Sequence, residues 1–179
     1  MVNSLARNGA GARRQAILRK VWSGEWIAAM AMSEADVGTD VLGMGTTAEE
    51  QDDGTWKING RKMWITNGGI DDDDTPCDVV WTYAKTGQDA RGRSEIATDL
   101  VYADSPGFSV GQKIMDKTGM RASNTAELVY DDCIVSSDSL VGSQGESMIH
   151  MMRNLELERL MLAAMSVGIS RRALFEMNR

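Results

Sequence analysis

Cysteine and histidine are scarce: Cys77 and Cys133 are the only thiols, and His150 the only imidazole, in 179 residues. Two widely spaced thiols build neither a disulfide framework nor a Cys-based zinc site, and one imidazole cannot supply a histidine cluster. The expectation is a reducing compartment and no metal. Long apolar runs are missing too. None approaches the roughly 20 residues of a membrane-spanning helix, and residues 1–11 lack the apolar core of a secretory signal. The chain therefore reads as soluble, with no membrane partner. Positive charge is in deficit: 19 Lys and Arg face 26 Asp and Glu, for a net charge of -7. That balance disfavours non-specific binding to nucleic acid. Apolar residues make up 42% of the chain, enough for an ordinary core in one domain with helical extensions. Arg7, Arg13, Arg14 and Arg19 give a basic, acid-free opening like a transit peptide, but folded-looking sequence follows directly from Trp22, and a surface helix is the simpler account.

The spacing of Ala16, Ile17, Val21 and Trp22 predicts a helix over about 10–22, stopped by Gly24 in the left-handed conformation. From residue 26 to about 141 the texture changes to short apolar or alternating runs. In Thr55-Trp56-Lys57-Ile58-Asn59-Gly60-Arg61-Lys62-Met63-Trp64-Ile65 two strand-like runs flank Asn-Gly, the pair that best tolerates a type I′ turn, so a β-hairpin is expected there. Further strands are expected at 26–32, 79–84, 96–102 and 127–130, with loops at 71–76 and 86–94. Short strands at this spacing point to an antiparallel barrel or sandwich. The four aspartates from Asp71 to Asp74 lack the alternating spacing and distal Glu of a calcium loop and read as a solvated tip. After Gly145 the apolar period lengthens through Met148, Met152, Leu155, Leu162 and Met165, and no proline interrupts the chain to Arg179, which predicts one long helix.

Three constellations carry possible chemistry. The loop Ser33-Glu34-Ala35-Asp36-Val37-Gly38-Thr39-Asp40 offers hydroxyls, a glycine and inward-pointing amides that suit an anion, although a capped turn explains the same residues. Alternation through Trp64-Ile65-Thr66 puts Trp64 and Thr66 on one strand face, where an indole and a hydroxyl could meet a planar ligand, or simply pack in the core. Glu158 falls three residues after Leu155 and four before Leu162, on an apolar stripe. A desolvated carboxylate there would be a stronger base, but a boundary glutamate at the helix edge, or one paired with a partner outside this chain, is the simpler account of these residues. Glu156 and Arg159 read as a surface pair.

In this order the elements resemble the acyl-CoA dehydrogenase family, nearest its isovaleryl branch. The stretches that carry the resemblance are Ala31-Met32-Ser33-Glu34 through Gly38-Thr39-Asp40, then Ile58-Asn59-Gly60 through Trp64-Ile65-Thr66-Asn67-Gly68. Pro106-Gly107-Phe108, Lys117-Thr118-Gly119-Met120-Arg121-Ala122-Ser123-Asn124-Thr125 and 155–160 complete them. The resemblance implies a mainly β fold with flanking helices: the end of an N-terminal helical domain at 1–25, the antiparallel β-barrel middle domain at 26–141, and the first helix of a C-terminal helical domain at 142–179. It implies FAD as cofactor, contacted by Met32, Ser33, Gly38 and Thr39, with Trp64 over one face of the flavin and Thr66 at its reactive edge. It implies Glu158 as catalytic base toward a short branched acyl-CoA, Thr39 and Arg159 at the substrate, and electron transfer flavoprotein as acceptor. A homotetramer is expected, in the mitochondrial matrix of a eukaryote or the cytoplasm of a bacterium. A non-catalytic barrel that binds a ligand or partner, and an acyl-CoA oxidase, are the alternatives. Three departures from the family pattern stand out: Ala35 where proline is usual, Asp99 at a strand position that is normally apolar, which would suit an edge strand or a different register, and Ser147 in place of a common glycine.

Overall fold

The computed structural model describes residues 5–6, 12–71, 73–143 and 145–179; the start of the expected first helix, Arg7 and most of the leader region fall outside them. The chain divides into two compact units, 1–147 and 148–179.

In the first unit, helix α1 spans Ala12–Ser23 and buries Ile17 and Leu18. It stops as expected at Gly24, whose φ of 77° is the left-handed conformation that glycine adopts without a Cβ penalty. Arg13 and Arg14 have structural partners and most of the helix is exposed, which favours the surface-helix reading. Arg13 pairs with Asp138 and lies over the Tyr102 ring, while Arg14 donates to the Leu140 carbonyl.

Seven strands form one mixed sheet: β1 Ala28–Ala31, β2 Thr47–Glu50, β3 Trp56–Thr66, β4 Val79–Gln88, β5 Ser94–Tyr102, β6 Phe108–Lys113 and β7 Thr125–Val135. The neighbour order is β1-β4-β2-β3-β7-β6, with β5 against β4. The architecture is mainly β with flanking helices, as expected. Most pairings are antiparallel, but β1 with β4 and β2 with β4 run parallel. The core is the sheet's inner face, where Ile58, Val80, Val101, Leu128 and Tyr130 cluster and Tyr130 stacks on Phe108 at 5.3 Å.

The expected hairpin at Asn59-Gly60 is wrong. β3 runs straight through both residues, and the hairpin lies one connection earlier, between β2 and β3, where Gly54 at φ 80° closes the turn. Asn-Gly serves two other purposes. The β3–β7 register shifts at Asn59, where two β7 residues, Asp131 and Asp132, face one β3 residue. The Asn59 amide fastens this bulge, accepting from the Asp132 N–H at 2.8 Å and donating to the Asp132 carboxylate at 3.0 Å. Gly60 lets Thr46 pass: a Cβ there would lie 2.7 Å from the Thr46 Cα.

Asp99 does lie on a strand at the margin of the strand order. β5 pairs with β4 along its length and meets Leu140 only by a bridge at Asp99. Its carboxyl is nevertheless fully buried. One oxygen accepts from the Ser139 hydroxyl at 3.0 Å, and the other has no hydrogen-bond partner among the described residues. Burial pushes this carboxyl up to about 6, with the Ser139 bond opposing the rise. A carboxyl whose folded-state pKa is raised holds its proton more tightly folded than unfolded, so its contribution is most favourable in acid and is lost as pH rises through about 6. Between about pH 4.5 and about pH 7.5 the wild type should therefore lose about 2 kcal/mol more unfolding free energy than Asp99→Asn. Urea unfolding of both proteins at the two pH values checks this, and parallel pH profiles would contradict it. Next to Asp99, the Thr98 hydroxyl donates to Ser147 Oγ at 2.8 Å, so the departure at Ser147 gains a buried polar partner.

Helix α2 spans Ser147–Met177, 31 residues without interruption, and from Met148 on it forms the second unit. Among the described residues no helix is long and apolar enough to cross a membrane.

Candidate functional site

β3 carries a second irregularity, and this one builds a site. Ile58 and Lys62 face inward, and unbroken alternation would put Trp64 and Thr66 inward as well. Between Lys62 and Ile65 the strand instead contains one residue more than its β7 partner. A one-residue slip reverses which side chains face the core. Ile65 therefore becomes the core residue at 3% exposure, and Trp64 is turned out at 54%. The backbone bears the strain at Trp64 itself, whose φ is 60°. For a bulky residue that is an unfavourable conformation, held only where the surroundings enforce it.

Trp64 is thus not core. Its indole and Thr66 line a cleft of about 310 Å³ together with Met32, Ser33 and Asn67. Asn67 follows in the same left-handed region at φ 62°, which asparagine tolerates. It donates its backbone N–H to the Asn124 carbonyl at 2.9 Å and its side-chain amide to the Ala28 carbonyl at 3.4 Å, tying the end of β3 to β1.

The loop that leaves β1 supplies the other wall. Its entry is bound to the bulge, because the Met63 N–H donates to the Ser33 carbonyl at 2.8 Å. Glu34 and Val37 exchange backbone hydrogen bonds of 3.0 and 3.3 Å, a tight turn that forms without the family's usual proline at Ala35. Beneath it sits a buried ion pair, with Lys62 Nζ 2.9 Å from Glu34 Oε1. Burial pulls the Lys62 ammonium below its ordinary pKa, with Glu34 opposing. Burial alone would raise Glu34, but hydrogen bonds from Thr46, Gly45 and Lys62 bring it below the usual carboxylate range. Gly38 and Thr39 are exposed on the loop and do not line the cleft. Gly38 has no positive φ, and an added Cβ would meet nothing within 4 Å, so nothing in the described chain requires glycine there.

Residues 29–133 match the family model for the acyl-CoA dehydrogenase middle domain. The chain belongs to the acyl-CoA dehydrogenase family. It is 42% identical to the mitochondrial 2-methylacyl-CoA dehydrogenase of Solanum tuberosum and 41% identical to the mitochondrial isovaleryl-CoA dehydrogenase of Arabidopsis thaliana; each match covers 94% of this chain and 39% of the relative. Among solved structures, an acyl-CoA dehydrogenase from Bacillus anthracis complexed with FAD superimposes with a TM-score of 0.73 at 30% identity, over 85% of this chain and 24% of that one. The chain thus spans about two fifths of the length of the curated relatives it matches.

Of the residues singled out from the sequence, Met32, Ser33, Trp64 and Thr66 meet in one cleft. Gly38 and Thr39 lie on the loop that continues from it. Glu158 and Arg159 belong to the second unit: Glu158 is half-buried and accepts a hydrogen bond from Asn154 Nδ2, one turn earlier, at 2.5 Å, and Arg159 is exposed. Sequence reasoning missed Glu34 and Lys62 as a pair. The available signal was a lysine at the inward parity of β3, two positions from Gly60, where an apolar residue would be expected.

Proposed function

We propose that this cleft holds the flavin of FAD, and that the chain serves an acyl-CoA dehydrogenase acting on a short branched, isovaleryl-like acyl-CoA. One observation carries the reading: a strained bulge turns Trp64 out of the core into a cleft that Thr66, Met32 and Ser33 also line. An exposed aromatic plane edged by hydroxyls suits a planar heterocycle with a polar rim. The FAD complex of the Bacillus relative supports the cofactor, and the names of the two plant relatives support a branched acyl-CoA.

In this reading Trp64 would pack against the flavin and Thr66 would offer a hydroxyl to its polar edge. Met32, Ser33, Gly38 and Thr39 hold the cofactor through backbone and hydroxyl groups. When bound, FAD supplies the acceptor for the hydride that leaves the β-carbon. The Glu158 carboxylate removes the α-proton, Thr39 and Arg159 contact the CoA arm, and the acyl group becomes a 2,3-enoyl thioester. Such an α-proton is too weakly acidic for an ordinary solvated carboxylate, so a dry surrounding for Glu158 and hydrogen bonds to the developing enolate oxygen are both required. Electrons pass on to electron transfer flavoprotein, and the assembly is a homotetramer.

Titration of the 179-residue chain with FAD, followed by quenching of flavin fluorescence, tests the cofactor assignment. The wild type should bind, and Trp64→Ala should bind about fivefold more weakly, since loss of one aromatic contact is worth about 1 kcal/mol. A wild type that takes up no flavin, or an alanine variant of undiminished affinity, would count against the reading.

A further inference from the structure

A buried ion pair is a poor way to gain stability, because well-packed apolar residues of the same volume hold a fold as well or better. The Lys62–Glu34 pair therefore calls for another account. Lys62 is completely buried, and its three N–H donors have three partners: Glu34 Oε1 at 2.9 Å, the Met32 carbonyl at 3.2 Å and Met44 Sδ at 3.6 Å. Glu34 is equally occupied. Oε1 also accepts from the Thr46 N–H at 3.0 Å and the Thr46 hydroxyl at 2.6 Å, and Oε2 accepts from the Gly45 N–H at 2.6 Å. These partners lie at the two ends of one loop. Met32 is its entry, while Met44, Gly45 and Thr46 are its exit. An ordered loop of this length must offset its closure entropy, and here the fastening at both ends converges on one ion pair.

From this convergence we infer that Lys62 and Glu34 form a clasp that closes the 32–46 loop and thereby fixes Met32, Ser33 and the adjoining Trp64 bulge in the arrangement that receives the cofactor. The inference rests on the flavin reading for what the site receives, but the clasp itself does not. Both are positioning residues. Lys62 sits two residues before Trp64 on the same strand, and the neighbouring Met63 amide holds Ser33, so a displacement at Lys62 reaches both walls of the cleft through at most two residues.

Two variants separate a positioning role from a structural one. Lys62→Met removes the ammonium and keeps the stem. Lys62→Met/Glu34→Gln removes both charges and leaves no unpaired buried ion, so its urea midpoint should recover toward wild type. Amide hydrogen exchange of the flavin-free chain is read first: in both variants the Glu34, Gly45 and Thr46 amides should exchange about tenfold faster or more, with β4 and β5 unchanged. Unaltered exchange in that loop would overturn the clasp whether or not flavin binds. Flavin affinity is read second and should remain about tenfold weaker in the double variant despite its recovered midpoint, because pre-organisation is lost while the fold is kept. A loosened loop with wild-type affinity would overturn the positioning role. Failure of the wild type itself to bind flavin would overturn the cofactor reading instead, and the positioning role with it, leaving the exchange result to decide the clasp.

Discussion

Replacing Glu158 by glutamine is expected to lower oxidation of isovaleryl-CoA by the assembled enzyme about 10³-fold, within the range contributed by a general base. Glutamine keeps the shape of the side chain, and its carbonyl oxygen can still accept from Asn154 Nδ2, as the Glu158 carboxylate does on α2. What disappears is the site that takes the proton. Flavin content should be unchanged, because the cleft residues belong to the β-sheet unit. Single-turnover bleaching of the flavin by isovaleryl-CoA, compared between the two proteins, measures the loss directly. Turnover within a few-fold of wild type would remove Glu158 from the mechanism and leave the flavin site standing.

Replacing Gly60 by alanine is expected to destabilise the sheet unit by about 3 kcal/mol, or about 10 °C in Tm for a chain of this size. Two independent penalties combine. The backbone at Gly60 has φ 145°, a region that residues with a Cβ rarely enter. The added methyl would also fall 2.5 Å from Thr46 Oγ1 and 2.7 Å from its Cα. Trimming Thr46 to alanine should not rescue the variant, since the Cα overlap remains. Thermal unfolding of both variants decides the matter. A cost near 1 kcal/mol is what a solvent-facing Asn-Gly turn would give, and that result would contradict the continuous β3 strand.

The same two residues show where the fold was legible in the sequence and where it was not. Alternating or continuous apolar runs marked β1, β4, β5 and β7, and the helical period marked α1 and α2, because burial on one face imposes a period on the sequence. β2 was invisible: its four residues, Thr47, Ala48, Glu49 and Glu50, bury only the alanine. β6 was hidden for a related reason, with Phe108 its only buried residue. Asn59-Gly60 misled because the pair suits a tight turn, whereas here the asparagine side chain fastens a bulge and the glycine makes room for Thr46. Only the distant partners Asp132 and Thr46 tell them apart.

At the site, the pairing of Trp64 with Thr66 was legible from alternation, but its direction was not. Strict alternation from Ile58 carries both residues into the core, and it takes the extra residue between Lys62 and Ile65 to turn them out. No local rule announces that insertion. The Glu34–Lys62 pair was hidden for the same kind of reason, since the two residues are 28 positions apart and only the loop's return to β3 brings them to 2.9 Å. For Glu158 the residues alone read as a boundary glutamate, only the family resemblance pointed to a base, and the structure adds a hydrogen bond from Asn154.

In the proposed flavin site the outward-turned Trp64 forms one wall. A crystal structure of the protein with FAD bound tests this most directly. The predicted result is an isoalloxazine ring in van der Waals contact with the Trp64 indole, its polar edge within hydrogen-bonding distance of the Thr66 hydroxyl. A flavin bound elsewhere, with Trp64 facing solvent or another protein surface, would contradict it.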